Sequence, residues 1–107
     1  MTEKDKKDNH LLIINHYGKD NQISKLTEEA GEFLTALARS QQYTESYETK
    51  KKRLENLKEE TADLRNMLDQ FLIMQGDKFT KEVQIIQDEK IRRTLKIIEK
   101  EQNEHPF

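Results

Sequence analysis

Two short acidic runs hold the side chains best suited to chemistry. They are Glu28-Glu29-Ala30-Gly31-Glu32 and Glu59-Glu60-Thr61-Ala62-Asp63. In each, a glutamate is followed three residues later by a second acid: Glu29 by Glu32, and Glu60 by Asp63. Positions three apart are neighbours on one face of a helix. Two such helices packed side by side gather all of these carboxylates in one place, where they repel unless a cation joins them. Hard divalent cations take oxygen ligands of this kind. Di-iron carboxylate sites pair Glu with ExxH motifs, but neither run has His at its third position, and His10, His16 and His105 lie outside both. An all-oxygen set favours Mg²⁺, with Mn²⁺ as a substitute, and Mg²⁺ shares its shell with substrate phosphates. The chemistry that follows is attack of an activated water on a phosphate, so the residues point to a Mg²⁺-dependent phosphoanhydride hydrolase.

The elements that must position these acids are helices. His10 to Tyr17 reads as a short helix stopped by Gly18, after a charged N-terminus over 1–8 that is expected to fray. His10 and His16 read as surface or helix-end histidines. Asp20 or Asn21 can cap a second helix to about Gln41. At about 100° per residue its stripe is Ile23, Leu26, Ala30, Phe33, Leu34 and Leu37. Glu29 and Glu32 flank that stripe, whereas Glu28 points further toward solvent. Gly31 in mid-helix suggests a close approach by a neighbour.

Residues 42–48 form a polar connection in which Thr44 or Ser46 can cap the third helix, expected from about Glu48 to Gln75 and stopped by Gly76. Leu57, Leu64, Leu68 and Phe71 make its stripe, flanked by Met67 and Met74. Glu60 projects into that stripe, and Asp63 lies on the side of Met67 and Met74. A carboxylate facing a core must be protonated, paired or bound to a cation. Asp77 or Thr80 can cap the last helix, to about Gln102. Its apolar residues do not form one clean stripe, which suggests contact with more than one neighbour. Lys90 and Arg93 share one side of it and suit phosphate oxygens. The equally open reading pairs them with Asp88, Glu89 or Glu99.

The whole chain bounds the rest. Its 107 residues suffice for one domain, expected over 9–104 with a tail at 105–107. With 33% hydrophobic and 37% charged residues the core is thin, so completion by oligomerisation is expected. A net charge of −2 gives no general attraction to nucleic acid. The absence of cysteine excludes disulfides and thiol chemistry. No run is apolar enough to span a membrane and the N-terminus is too polar for a secretory signal, so a cytoplasmic location is expected.

The run Lys25 to Glu32, followed by Glu60-Thr61-Ala62-Asp63, resembles the MazG-like nucleoside triphosphate pyrophosphohydrolases, whose signature is EExxE, a spacer, then ExxD. His16-Tyr17-Gly18 with Asn21-Gln22 resembles the lead-in of small phage and bacterial members. Asp88-Glu89-Lys90-Ile91-Arg92-Arg93 resembles their last-helix basic segment. The resemblance covers roughly residues 15–98. It implies an all-α four-helix bundle, completed as a homo-dimer or homo-tetramer, that cleaves (d)NTPs between the α and β phosphates. On this resemblance Glu29, Glu32, Glu60 and Asp63 ligate Mg²⁺. Glu28, Glu29 or Glu32 orients or deprotonates the attacking water, and Lys90, Arg93 and Lys25 bind phosphates. Gln22, Phe33 or a tyrosine is a candidate for base contact, with none of them singled out.

Two departures stand out. Arg65 and Asn66 interrupt an apolar run common among relatives, and must face outward or toward substrate. The chain is also shorter than the dimeric dUTPases of the superfamily. The competing readings are a non-catalytic helical nucleotide-binding or interaction module, and an enzyme of the phosphoribosyl-ATP pyrophosphatase type.

Overall fold

A computed structural model describes residues 1–104, so the expected tail at 105–107 lies outside the described residues. The described chain is all-α, with no strand: α1 (Glu3–Tyr17), α2 (Lys19–Ser40), α3 (Tyr47–Gln75) and α4 (Asp77–Glu104). It divides into two compact units, Met1–Met74 and the part from Gln75 onward.

In the first unit, α1 starts at Glu3 instead of near His10, because a capping box builds its first turn. The Asp5 amide donates to Thr2 Oγ1 at 3.0 Å, and the Thr2 amide donates to Asp5 Oδ2 at 3.1 Å. These bonds favour ionised Asp5, so its carboxyl sits below the ordinary carboxylate value. Gly18 alone joins α1 to α2. Its φ of 91° is a conformation that suits glycine, its amide donates to Ile14 O at 2.8 Å, and its carbonyl accepts from the Gln22 amide at 3.1 Å. The expected caps Asp20 and Asn21 therefore lie inside α2, where Gly18 occupies the cap position. Ser46 caps α3, its hydroxyl accepting from the Thr49 amide at 3.2 Å.

Helices α2 and α3 run antiparallel. Gln22 meets Gln70, Glu29 meets Glu60 and Asp63, and Ala36 and Arg39 share a cleft with Asn56. The core of this unit is small, as the composition requires: Ile14, Ala36 and Met67 are its buried apolar residues. Met67, expected as a flank, is at the centre, whereas Leu68 and Leu34 of the expected stripes are exposed. Gly31 has nothing within 4 Å of where a Cβ would stand. The expected close approach is absent there, and Gly31 instead borders an open cleft.

A polar chain crosses the same interior. Gln22 Nε2 donates to Gln70 Oε1 at 2.8 Å, and Gln70 Nε2 lies 3.2 Å from His10 Nδ1. His10 Nε2 is 3.9 Å from Asp69. His10 is thus buried and is not the surface histidine expected from sequence. Gln70 satisfies both buried neighbours, so the polar groups are paired as burial demands.

The second unit is dominated by α4, preceded by Gly76 with φ 94°. Thr80 does not cap it, since its hydroxyl donates back to Gly76 O at 3.0 Å. Along α4 no residue is buried, and Val83, Ile85, Ile86, Ile91, Leu95, Ile97 and Ile98 are all exposed.

Candidate metal centre

The antiparallel pairing of α2 and α3 brings the two acidic runs face to face. One carboxylate oxygen each from Glu29, Glu60 and Asp63 lie within 4.8 Å of one another. Glu29 projects from α2, and Glu60 and Asp63 project from α3 one turn apart. Glu29 and Glu60 are half-buried, and Asp63 opens the cluster to solvent.

Glu29 Oε2 and Glu60 Oε2 are each fully shielded from solvent and have no hydrogen-bond partner. A shielded carboxylate oxygen without a partner is unfavourable, and a native fold relieves it by protonation or by a cation. The electrostatics agree. Burial pushes the Glu29 carboxyl above the ordinary carboxylate range, and the negative charges of Glu32, Asp63 and Glu60 push it the same way. Burial likewise raises Glu60, followed by the charges of Glu32 and Asp63. Both acids therefore favour a proton or a metal over a bare charge.

Of the other expected residues, Glu32 is exposed but acts electrostatically on both half-buried acids. Glu28, Glu32 and Glu60 line a cleft of about 420 Å³ between α2 and α3. Gln22 is engaged with Gln70 in the buried polar chain, and Lys25 is exposed on α2. Lys90 and Arg93 are exposed on α4, in the second unit. Arg65 and Asn66 line a separate cleft of about 390 Å³ with His10, Ile13 and Asp69.

The sequence reading missed Arg39 and Asn56, which line the acidic cleft. Helical spacing carries the signal for both, since Arg39 is two turns past Glu32 and Asn56 is one turn before Glu60.

The set fits a hard divalent cation. It offers only oxygen donors, on two helices, and two of the shielded oxygens, Glu29 Oε2 and Glu60 Oε2, accept no hydrogen bond. Comparison of the chain with known protein families, with curated proteins and with solved structures gave no match.

Proposed function

We propose that this chain is a Mg²⁺-dependent nucleoside triphosphate pyrophosphohydrolase of the MazG-like kind. The observation that carries the reading is the pair of shielded, unpartnered oxygens of Glu29 and Glu60 facing Asp63 across the α2–α3 contact. Glu29, Glu60 and Asp63 would hold Mg²⁺, or Mn²⁺ in its place, with Glu32 beside them. When bound, the cation supplies Lewis-acid polarisation of phosphate oxygens and lowers the pKa of a coordinated water.

The chain's own residues do the rest. Glu28 and Glu32 line the cleft beside Glu60 and orient the attacking water, one of their carboxylate oxygens accepting its proton. The water oxygen bonds to the α phosphorus. The bond from that phosphorus to the α–β bridging oxygen breaks, and pyrophosphate leaves with the electron pair. Lys25, Lys90 and Arg93 are candidate phosphate contacts, and Gln22 is a candidate base contact, on the family resemblance.

The same reading completes the bundle with further copies of the chain. The number of apolar side chains along α4 supports it, since apolar groups in such number are ordinarily covered by a partner.

Hydrolysis in heavy-oxygen water tests the reading. The label is expected in the nucleoside monophosphate, with unlabelled pyrophosphate beside it. Label in pyrophosphate, or release of single phosphate, would contradict attack at the α phosphorus.

A further inference from the structure

The acidic cleft has a second pole. Beside Glu28, Glu32 and Glu60 it is lined by Asn56 and Arg39. Arg39 lies seven residues past Glu32, about 10 Å along α2. Asn56 lies four residues before Glu60, about 6 Å along α3. Because the helices are antiparallel, both displacements lead the same way, from the carboxylates toward the α2–α3 connection. The cleft is therefore ordered as carboxylates, then an amide, then a guanidinium.

Neither Arg39 nor Asn56 has a side-chain hydrogen bond or ion pair among the described residues. An arginine in a cleft with three carboxylates that pairs with none of them is available for an external anion. Thr35 borders the same cleft, but its hydroxyl already donates to Gly31 O at 3.0 Å. A ligand matching this order carries a divalent cation at one end and further negative oxygens at the other. A polyphosphate chain has that form.

We propose that Arg39 and Asn56 bind the β and γ phosphates, the departing pyrophosphate. The proposal rests on the hydrolase reading above, and assigns the leaving group to first-unit residues in place of Lys90 and Arg93. Guanidinium binds phosphate through two parallel N–H donors, and the Asn56 amide adds a third donor nearer the acids. Negative charge grows on the leaving group as the α–β bond breaks, so a cation placed there stabilises the transition state more than the bound substrate. The plainer role for Arg39 is to oppose the helix dipole, since it lies in the last turn of α2. Arg39→Lys keeps that charge and loses the paired donors, so it separates the two roles.

The test uses the full chain with Arg39→Gln, Arg39→Lys, Asn56→Ala and, as a charge control, Lys100→Gln. Product inhibition by pyrophosphate and by nucleoside monophosphate is measured separately, together with calorimetric binding of pyrophosphate in Mg²⁺. Arg39→Gln is expected to weaken both pyrophosphate inhibition and pyrophosphate binding about tenfold or more, by the usual worth of a charged hydrogen bond. Arg39→Lys weakens them less, Asn56→Ala weakens them in the same direction, and Lys100→Gln leaves them unchanged. Monophosphate inhibition stays at the parent value in all of these variants. Unchanged pyrophosphate binding in Arg39→Gln overturns the proposal, whether or not the melting temperature falls. So does weakened monophosphate inhibition alone, which puts Arg39 on the nucleoside side. A parent that releases no pyrophosphate defeats the hydrolase reading itself. Calorimetry with pyrophosphate then still decides the subsite: weaker binding by Arg39→Gln upholds it, and equal or absent binding overturns it.

Discussion

Glu60→Gln is the perturbation that separates a cation site from a chance gathering of acids. The amide keeps the shape of the side chain and removes its charge. In the folded protein Glu60 is raised above its ordinary value, first by burial and then by Glu32 and Asp63. A carboxyl whose folded pKa is raised destabilises the fold at pH above that pKa, and the loss is recovered as pH falls through it. At neutral pH and without divalent cation, removing the charge should therefore raise the melting temperature. With cation the order reverses. A ligand at tenfold over its Kd stabilises the parent by about 1.4 kcal/mol. For a chain of this size that is roughly 6–11 °C in melting temperature. The variant keeps an amide oxygen but has lost one of the three gathered carboxylate charges, and should lose most of that shift. Circular dichroism melts of both proteins, in chelator and in saturating Mg²⁺, make the comparison. A variant that melts below the parent in chelator, with an equal Mg²⁺ shift in both, would refute the reasoning.

Other outcomes follow from the same structure. Gln70→Leu strands Gln22 Nε2 and His10 Nδ1 in the interior and should destabilise the fold by about 2–3 kcal/mol in urea denaturation. Thr2→Ala removes the α1 cap and should cost about 1 kcal/mol, read as lost helicity and a lower melting temperature. Because Asp5 is lowered in the fold, its share of that cap is present at neutral pH and should fade only as pH falls through the lowered value, seen in a helicity titration. Ile91→Asp with Leu95→Asp places charge on one exposed apolar side of α4. On the oligomer proposed above, it should shift the chain toward monomer in light scattering after size exclusion, with the helical spectrum retained.

The helices and the acidic runs were legible because they rest on local rules. Gly18 and Gly76 punctuate at positive φ, and the i,i+3 spacing of Glu60 and Asp63 fixes one face whatever packs against it. What was not legible depends on partners across space. His10 reads as a surface histidine until Gln70, sixty residues later, is found against it. Met67 and Leu68 are adjacent and similarly apolar, and only the placement of α1 and α2 decides which one is buried. The start of α1 was missed for a different reason. Thr2 and Asp5 have capping-box spacing inside a charged run, and the box they form starts the helix there. Arg39 lies two turns past Glu32, and only the packing of α2 on α3 brings it into one cleft with the acids.

The most direct measurement is pyrophosphate release from the common NTPs and dNTPs, with and without Mg²⁺, by the parent and by a folded Glu60→Gln/Asp63→Asn variant. The account predicts Mg²⁺-dependent monophosphate and pyrophosphate from the parent, and a loss of at least two orders of magnitude in the variant, as when charge-stabilising groups are removed from an active site. Equal release by the two proteins, or release that ignores Mg²⁺, would contradict it.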